Sequence, residues 1–258
     1  MHILMSNDDG IQAPGLRDLA YKLSKQHRVT VVAPMYEQSG KSHALTTEQA
    51  IQVKRFPDGG GSITWIAING TPTDCVKWAL SYELAEDMPD LLISGVNNGY
   101  NLGSDALYSG TVAAAMEGLF YQVPSLALSV NTYLQTTGEK IFPIVENILD
   151  IFYNNEIKVK GYLLNVNFPD CESYTRDQVE VVHQGFQHYF YIVEDESHRH
   201  GKDYFWIGGK KAQPDSIHDT DVHLIHEGKI TVVPLTWIQE DREQVDIFRN
   251  ILQNDESF

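Results

Sequence analysis

Two adjacent carboxylates, Asp8 and Asp9, stand directly after a short apolar run near the start of the chain, and Gly10 follows them. Glycine permits a tight turn behind the pair. Adjacent like charges repel, and a divalent cation removes that cost by coordinating both groups. Magnesium, manganese and calcium favour such carboxylate oxygens. The motif therefore indicates a candidate metal site, with an ordinary solvated Asp-Asp-Gly turn as the alternative.

A second polar segment, residues 39–46, reads Ser-Gly-Lys-Ser-His-Ala-Leu-Thr. A hydroxyl such as that of Ser39 can ligate a hard metal or donate to phosphate oxygens, and the N–H groups beside Gly40 can form an anion-binding nest. His43 could donate a proton or contact a substrate, with a surface-loop histidine as the alternative. The segment suits an oxyanion, although a Ser-Gly stretch by itself is also typical of a plain loop.

The third segment, residues 94–111, is long and rich in glycine. Ordering so long a loop costs conformational entropy, which suggests that it lines a site. Asn97 and Asn101 offer neutral carbonyl ligands and N–H donors. The Ser-Gly-Thr at 109–111 opens an alanine-rich helix, whose first N–H groups and dipole favour a phosphate. A plain serine N-cap is the alternative at this position.

Alternating strand and helix patterns should bring these three segments to one edge of a sheet. A strand over 2–6, a helix after Pro14 and a strand over 28–33 form a βαβ unit, which implies a parallel sheet. Open parallel sheets place ligand sites at the carboxyl ends of their strands. Further strands are predicted at 51–56 and 62–68, as an antiparallel pair, and at 91–94, 125–130 and 163–167, with helices from Thr71-Pro72 and over 112–122 and 141–153. The sequence thus predicts an α/β, doubly wound fold.

The alternation of strand and helix patterns ends at about residue 170. Aromatic residues cluster between 186 and 191, and a second strand pattern follows at 204–207. We interpret this part as an extended hairpin whose polar tip, with His198 and His200, is solvated. An aromatic arm of this kind usually packs on a partner, so we expect a homodimer; a satellite cluster on the same chain is the alternative. A strand at 229–235 and a helix at 240–253 follow. We divide the chain into a core, 1–180, and a dimerisation extension, 181–258.

Bulk properties exclude several classes of partner. The formal charge of −16 over 258 residues would repel long nucleic acids and anionic membranes. The sequence has no apolar run of about 18 residues and no signal-peptide pattern, so neither a membrane span nor a secretory leader is expected. Two distant cysteines, Cys75 and Cys171, predict no disulfide scaffold, and a reducing cytoplasm is the simplest compartment.

The three segments also carry a resemblance: the sequence resembles the SurE family, the survival protein E type of 5'-nucleotidase. The matching stretches are 4–10, 33–40, 69–76 and 94–118, and weaker ones at 165–169 and 228–235. The resemblance implies a Rossmann-like core, an extended dimerisation hairpin, a swapped C-terminal helix and one divalent metal ion such as Mg²⁺ or Mn²⁺. It also implies homodimers or tetramers that hydrolyse nucleoside 5'- and 3'-monophosphates, with short polyphosphate as a further substrate.

The family's functional residues can be carried over motif by motif. The implied metal ligands are Asp8, Asp9, Ser39 and Asn97. The implied phosphate and substrate contacts are Ser39, Gly40, His43, Asn101, Ser109, Gly110 and Thr111. The sequence departs from the family pattern at His43, where a small amide such as asparagine is expected, and at Val232-Val233-Pro234, where a hydroxyl-rich strand is expected.

Two mechanistic routes and three other classes of protein stay open at this point. The two carboxylates are the candidate catalytic groups, and Asp8 could orient a metal-polarised water or attack phosphorus directly. A haloacid-dehalogenase-type phosphatase would need Asp-x-Asp, but Gly10 and Ile11 stand at the required positions. A dinucleotide-dependent oxidoreductase would need Gly-x-Gly-x-x-Gly after the first strand. A nucleotide-binding regulator without turnover is the remaining alternative, and phosphate release that requires metal separates it from an enzyme.

Overall fold

The computed structural model describes residues 1–56, 63–131, 137–154, 161–187, 189–195, 205–211 and 217–254. Its strands, in chain order, are β1 (His2–Ser6), β2 (Arg28–Pro34), β3 (Val53–Phe56), β4 (Ile63–Ile68), β5 (Leu91–Asn98), β6 (Ser125–Val130), β7 (Leu163–Phe168), β8 (Val179–Val181), β9 (Tyr189–Asp195), β10 (Phe205–Lys211) and β11 (Ile230–Leu235). Its α-helices are α1 (Pro14–Leu23), α2 (Pro72–Trp78), α3 (Gly110–Phe120), α4 (Thr137–Asn154), α5 (Asp221–Leu224) and α6 (Arg242–Asn254).

Nine of these strands form one mixed sheet in the order β3-β4-β2-β1-β5-β6-β7-β11-β8. The six from β4 to β7 run parallel. Strand β3 runs antiparallel to β4, and β11 runs antiparallel to β7 but parallel to β8. In sequence order, β2 and then β4 lie on one side of β1, and β5 lies on the other side. This reversal makes the carboxyl ends of β1 and β5 the switch point of the sheet, where ligands bind in folds of this kind.

Helices cover both faces of the sheet, which confirms the predicted α/β, doubly wound class. Leu16, Leu19 and Leu23 of α1 pack with Ile141 and Val145 of α4 against one face. The apolar side chains of α2 and α3, among them Val76 and Ala114, pack against the other face. Each fully buried leucine, isoleucine or valine side chain among them contributes about 1.5–3 kcal/mol to folding.

The β3–β4 pair is antiparallel, as predicted, and the predicted turn within 57–62 lies outside the described residues. Thr71 caps α2 as predicted: its hydroxyl accepts from the N–H of Asp74, and Pro72 occupies the first helical turn. Proline has no backbone N–H, and this loss does not destabilise the first turn of a helix, because the first N–H groups there have no intrahelical acceptor.

Among the elements whose bounds differ from the predicted ones, β5 and α3 lie near the candidate site. Strand β5 extends to Asn98 because an irregularity between Ser94 and Asn97 shifts its register against β6 and lets pairing resume. Gly95 makes this possible: a Cβ there would lie 2.4 Å from the carbonyl oxygen of Leu128. Helix α3 starts at Gly110 rather than 112.

The C-terminal part contains the predicted hairpin. Strands β9 and β10 pair with each other antiparallel, in a sheet of their own, and the predicted tip with His198 and His200 lies outside the described residues. Strand β11 and helix α6 also form where predicted. No helix in the described part of the chain is long and apolar enough to cross a membrane. The exchange of α6 between subunits stays a prediction.

Candidate active site

The turn after β1 fixes Asp8 and Asp9 through the side chain of Asn7. The Asn7 amide donates to the carbonyl oxygen of Gly10 at 3.1 Å, and its Oδ1 accepts from the N–H of Gly10 at 3.2 Å. Gly10 has φ +95°, a left-handed conformation that glycine adopts without steric cost. The two carboxylates therefore stand at the carboxyl end of β1 on a closed, rigid turn.

Asp8 is a buried carboxylate, only 3% exposed. The hydroxyl of Thr111, in the first turn of α3, donates to its Oδ1. Burial raises the pKa of Asp8 to about 6; the hydrogen bond from Thr111 opposes this shift, and the charge of Asp9 adds to it. In a site without a cation, therefore, the Asp8 carboxylate carries its charge at an energetic cost.

Helix α3 begins directly against Asp8. A Cβ on Gly110 would lie 2.8 Å from the Cβ and 3.0 Å from the Oδ2 of Asp8, so only glycine allows this approach. Ser109 is the N-cap, and its hydroxyl accepts from the N–H of Val112 at 3.1 Å. Ser109 therefore forms the N-cap that the sequence offers as one interpretation. The helix start that is predicted to bind phosphate lies beside the buried carboxylate.

Asp9 faces the end of β5. The backbone N–H of Asn98 donates to its Oδ2 at 3.3 Å. Next to it, Asn97 donates through its side-chain amide to the carbonyl oxygen of Gly99 at 2.8 Å, which leaves the side-chain carbonyl as the atom of Asn97 suited to a cation. The extension of β5 past Gly95 is what brings Asn97 and Asn98 to the carboxylate pair.

The loop that contains Ser39 starts beside Asp8. The backbone N–H of Gln38 donates to the carbonyl oxygen of Asp8 at 2.7 Å. Ser39 itself is exposed, and its hydroxyl donates to Oε1 of Glu37 at 2.9 Å. Gly40 follows with φ +69°. The structure therefore brings Ser39 and Gly40 to the same edge of the sheet as Asp8.

Asp74 anchors the far end of that loop, a role that the sequence analysis missed. Its carboxylate accepts from the N–H of Thr46 at 2.9 Å and from the Thr46 hydroxyl at 2.6 Å, and also from the N–H of Thr71 at 2.8 Å. The Thr-x-x-Asp spacing of a capping box predicts the helix cap. It does not predict the hydrogen bonds of Asp74 to a distant loop.

Asn101 is buried in a network of amides. Its side-chain amide donates to the Ser129 hydroxyl at 2.8 Å, its backbone N–H donates to Oδ1 of Asn167 at 2.9 Å, and its carbonyl accepts from Asn165 at 2.8 Å. Strands β6 and β7 supply these partners, so the Asn-Val-Asn of β7 supports the loop of residues 94–111. The predicted contact of Asn101 with phosphate stays a prediction.

A cavity of about 310 Å³ opens beside the start of α3. Its volume lies within the usual range for small-molecule sites, about 300–1,000 Å³. Polar and apolar groups share its wall, among them His43, Leu107, Ser109, Met116, Leu235 and Ile238. Ser109 thus connects the cavity to the carboxylate site, and His43 reaches the cavity rather than the carboxylate pair.

Asp221, a second residue that sequence reasoning missed, ties the C-terminal segment to the site. It is 0% exposed. Its carboxylate accepts from the backbone N–H groups of Gly103 and Gly185 at 2.8 Å each and of Val222 at 2.9 Å. Gly103 opens the short helical turn Gly103–Leu107, which leads into Ser109. Asp221 therefore supports the loop that positions the start of α3.

We expect Asp221→Ala to lower the free energy of unfolding by about 3 kcal/mol, because it leaves three backbone N–H groups, those of two buried residues and one half-buried residue, without their charged acceptor. Urea denaturation followed by circular dichroism measures this loss. The matched control is Asp219→Ala, two residues away, whose carboxylate is 71% exposed and should change stability by less than about 0.5 kcal/mol. Equal losses in both variants would contradict the anchoring role of Asp221.

The donor set of the site fits a hard divalent cation. Asp8 and Asp9 supply two carboxylates, and Ser39 and Asn97 at the same sheet edge supply a hydroxyl and an amide carbonyl, which are oxygen ligands of the kind that Mg²⁺ and Mn²⁺ bind. In the described part of the chain, no group of three or more His, Cys, Asp or Glu side chains is placed to hold a metal ion. Neutral oxygens and water would therefore complete the coordination at the carboxylate pair.

Comparisons with known proteins agree with this architecture. The family model described as survival protein SurE matches residues 3–190. A protein named 5'-nucleotidase SurE from Thermoanaerobacter sp. strain X514 is 36% identical over 250 residues, which covers 97% of this chain and 98% of that protein. One of the same name from Methylobacterium nodulans is 40% identical over 263 residues, covering 97% and 99%.

A solved structure extends the similarity to the whole fold. The SurE protein from Aquifex aeolicus superimposes with a TM-score of 0.81 at 30% sequence identity, covering 97% of this chain and 99% of that one. The family model spans most of the chain and the curated relatives match it nearly end to end. From its fold, its site and its sequence together, this chain belongs to the SurE family.

Proposed function

We propose that this chain is a metal-dependent 5'-nucleotidase that hydrolyses nucleoside monophosphates to nucleoside and phosphate. The observation that carries the proposal is the buried carboxylate of Asp8, held by Thr111 against the first turn of α3 at the switch point of the sheet. Relatives named 5'-nucleotidase SurE match nearly the full length of the chain, which supports the same reaction here.

Electrostatics at the start of α3 supports dependence on a metal. A phosphate bound there would lie beside the Asp8 and Asp9 carboxylates, and three neighbouring anionic groups repel one another strongly at low dielectric. Asp8, Asp9, Ser39 and Asn97 would hold the ion. When bound, a divalent cation supplies charge neutralisation and lowers the pKa of a coordinated water.

The side chains of the candidate site have separate tasks. Thr111 fixes the direction of the Asp8 carboxylate, so that the same group can orient the attacking water or attack phosphorus itself. The N-terminus of α3, with Ser109 and Gly110, stabilises charge on the phosphoryl oxygens. Asn101 holds the loop of residues 94–111 in place through β6 and β7. Hydrolysis of a phosphate monoester needs a barrier reduction on the order of 20 kcal/mol, and positioning with charge stabilisation is the source available here.

The cavity beside Ser109 suits the nucleoside part of the substrate. It has room for a small organic group, about 310 Å³, and mixes apolar walls with polar side chains. We extend the proposal to nucleoside 3'-monophosphates and short polyphosphate, because a terminal phosphate at the start of α3 makes the same contacts in each case.

The C-terminal arm supports a homodimer, with tetramers as pairs of dimers. Among the residues that the structure describes, strands β9 and β10 pair only with each other and stand outside the nine-stranded sheet. On α6, Val245 is 39%, Ile247 42% and Phe248 58% exposed in the single chain. Apolar exposure of this extent on one helix is typical of a subunit interface, and exchange of α6 between subunits would bury it.

The substrate class is tested by phosphate release from a panel of nucleoside 5'- and 3'-monophosphates and tripolyphosphate in the presence of Mn²⁺ or Mg²⁺. We expect release from the nucleoside 5'-monophosphates. Binding of these nucleotides without release of phosphate would instead identify a regulatory protein and overturn the proposal.

A further inference from the structure

Glu117 is a buried carboxylate at the meeting point of three chain segments. It lies in α3, two turns after Thr111, and is 2% exposed. Its Oε1 accepts from Nζ of Lys77, on α2, at 2.7 Å, and its Oε2 lies 3.0 Å from Nε2 of His43. An ionised carboxylate at such depth is stable only with partners of this kind.

The charge state of Glu117 agrees with this arrangement. Burial by itself would raise the pKa of Glu117, but hydrogen bonds and positive charge from His43 and Lys77 outweigh burial and lower it. A carboxylate accepts and cannot donate, so Nε2 of His43 carries the hydrogen in this contact. The imidazole is therefore held in one orientation by a fixed acceptor.

His43 connects this carboxylate to the cavity beside Ser109. The imidazole is 33% exposed and forms part of the cavity wall. Its ring also lies 6.0 Å, centroid to centroid, from that of Phe120. Glu117 therefore orients His43, which lines the cavity, although Glu117 itself does not line it.

Other contacts hold the rest of the loop independently of Glu117. Gln38 bonds to the backbone of Asp8 at one end, and Thr46 bonds to Asp74 at the other. Between them, Ser42 donates through its N–H to the carbonyl of Tyr108 at 3.1 Å and through its hydroxyl to that of Leu107 at 2.6 Å. Loss of the bond to Glu117 should therefore disturb the cavity wall more than the phosphate end of the loop.

We propose that Glu117, supported by Lys77, is a positioning residue that holds His43 as the wall of a nucleoside-binding subsite. The inference rests on the proposed nucleotidase function and deepens it, because it assigns the recognition of the nucleoside to a part of the site separate from the carboxylate pair. Glu117 itself does not touch the substrate.

The test separates nucleoside binding from phosphate binding. We would measure KM for a nucleoside 5'-monophosphate and the inhibition constant of inorganic phosphate, at saturating Mn²⁺, and compare their ratio between variants. Glu117→Gln and His43→Leu should raise the ratio of KM to this constant by about tenfold, because each removes a charge-assisted hydrogen bond. His43→Asn keeps an N–H donor for Glu117 and should stay within about threefold of wild type.

The control variant is Lys229→Gln, which removes an ion pair with Glu180. Lys229 lies just before the start of β11, whereas the cavity lies at the other end of that strand, at Leu235. It should leave the ratio unchanged. A parallel rise of both constants in His43→Leu and Glu117→Gln would show a general structural effect and overturn the inference, as would equal ratios in His43→Leu and His43→Asn. A wild-type protein that releases no phosphate from nucleotides would instead overturn the proposed function.

Discussion

Asp8→Asn should lower the rate of phosphate release by about three orders of magnitude, because it removes the buried charge at the centre of the site. The substitution preserves the shape of the side chain and an oxygen that can accept from Thr111. Steady-state phosphate release at saturating Mn²⁺ measures the effect. Asp87→Asn, at an exposed carboxylate that pairs with Arg28, is the matched control and should retain activity.

The same variant should be more stable than wild type when metal is absent. Burial raises the pKa of Asp8 from 3.8 to about 6 in the folded protein, so the folded state binds its proton more tightly than the unfolded chain. The contribution of Asp8 to wild-type stability is therefore largest below about pH 4 and is lost as the pH rises through about 6, which lowers the free energy of unfolding by on the order of 3 kcal/mol. Asp8→Asn lacks this loss. Urea denaturation in EDTA should give the same curve for wild type and Asp8→Asn at pH 4. At pH 7 the two curves should separate, with Asp8→Asn the more stable. A less stable Asp8→Asn at pH 7 would contradict the assigned environment of Asp8.

Gly110→Ala should lower activity by about a hundredfold without unfolding the protein, because its methyl group would lie 2.8 Å from the Cβ of Asp8 and 3.1 Å from Cγ of Pro72. Displacement of a reacting group by about 1 Å is enough for a loss of this size. The assay is phosphate release, with circular dichroism to verify folding. Gly161→Ala adds backbone strain, since Gly161 has φ +90°, but a Cβ there meets nothing within 4 Å. It should cost some stability and leave the rate unchanged. Wild-type activity in Gly110→Ala would show that α3 does not set the position of Asp8.

Local patterns predicted most of the fold. Leu16, Leu19 and Leu23 have helical spacing and are all fully buried. Thr71 and Pro72 predicted the start of α2, and the position of Asp8 and Asp9 after the first strand predicted that both lie at the carboxyl end of β1, the sheet edge of the candidate site. These features depend on neighbours in sequence, which is why composition and spacing sufficed.

Sequence reasoning missed the supports of the site, because their partners are distant in the chain. Asp74 holds Thr46 from 28 residues away, Glu117 holds His43 from 74, and Asp221 holds Gly103 from 118. No periodicity links such pairs. The sequence pattern predicts a loop at Asn97, because an irregular strand that continues past a glycine has no local signature.

We propose that hydrolysis of nucleoside monophosphates requires a divalent cation at the carboxylate pair. The most direct test is release of inorganic phosphate from a nucleoside 5'-monophosphate by protein dialysed against EDTA, then supplemented with Mn²⁺ or Mg²⁺, for wild type and Asp8→Asn. We predict no release in EDTA, restoration by added metal in wild type, and no restoration in Asp8→Asn. Full turnover in EDTA, or restoration of Asp8→Asn by metal, would contradict the claim.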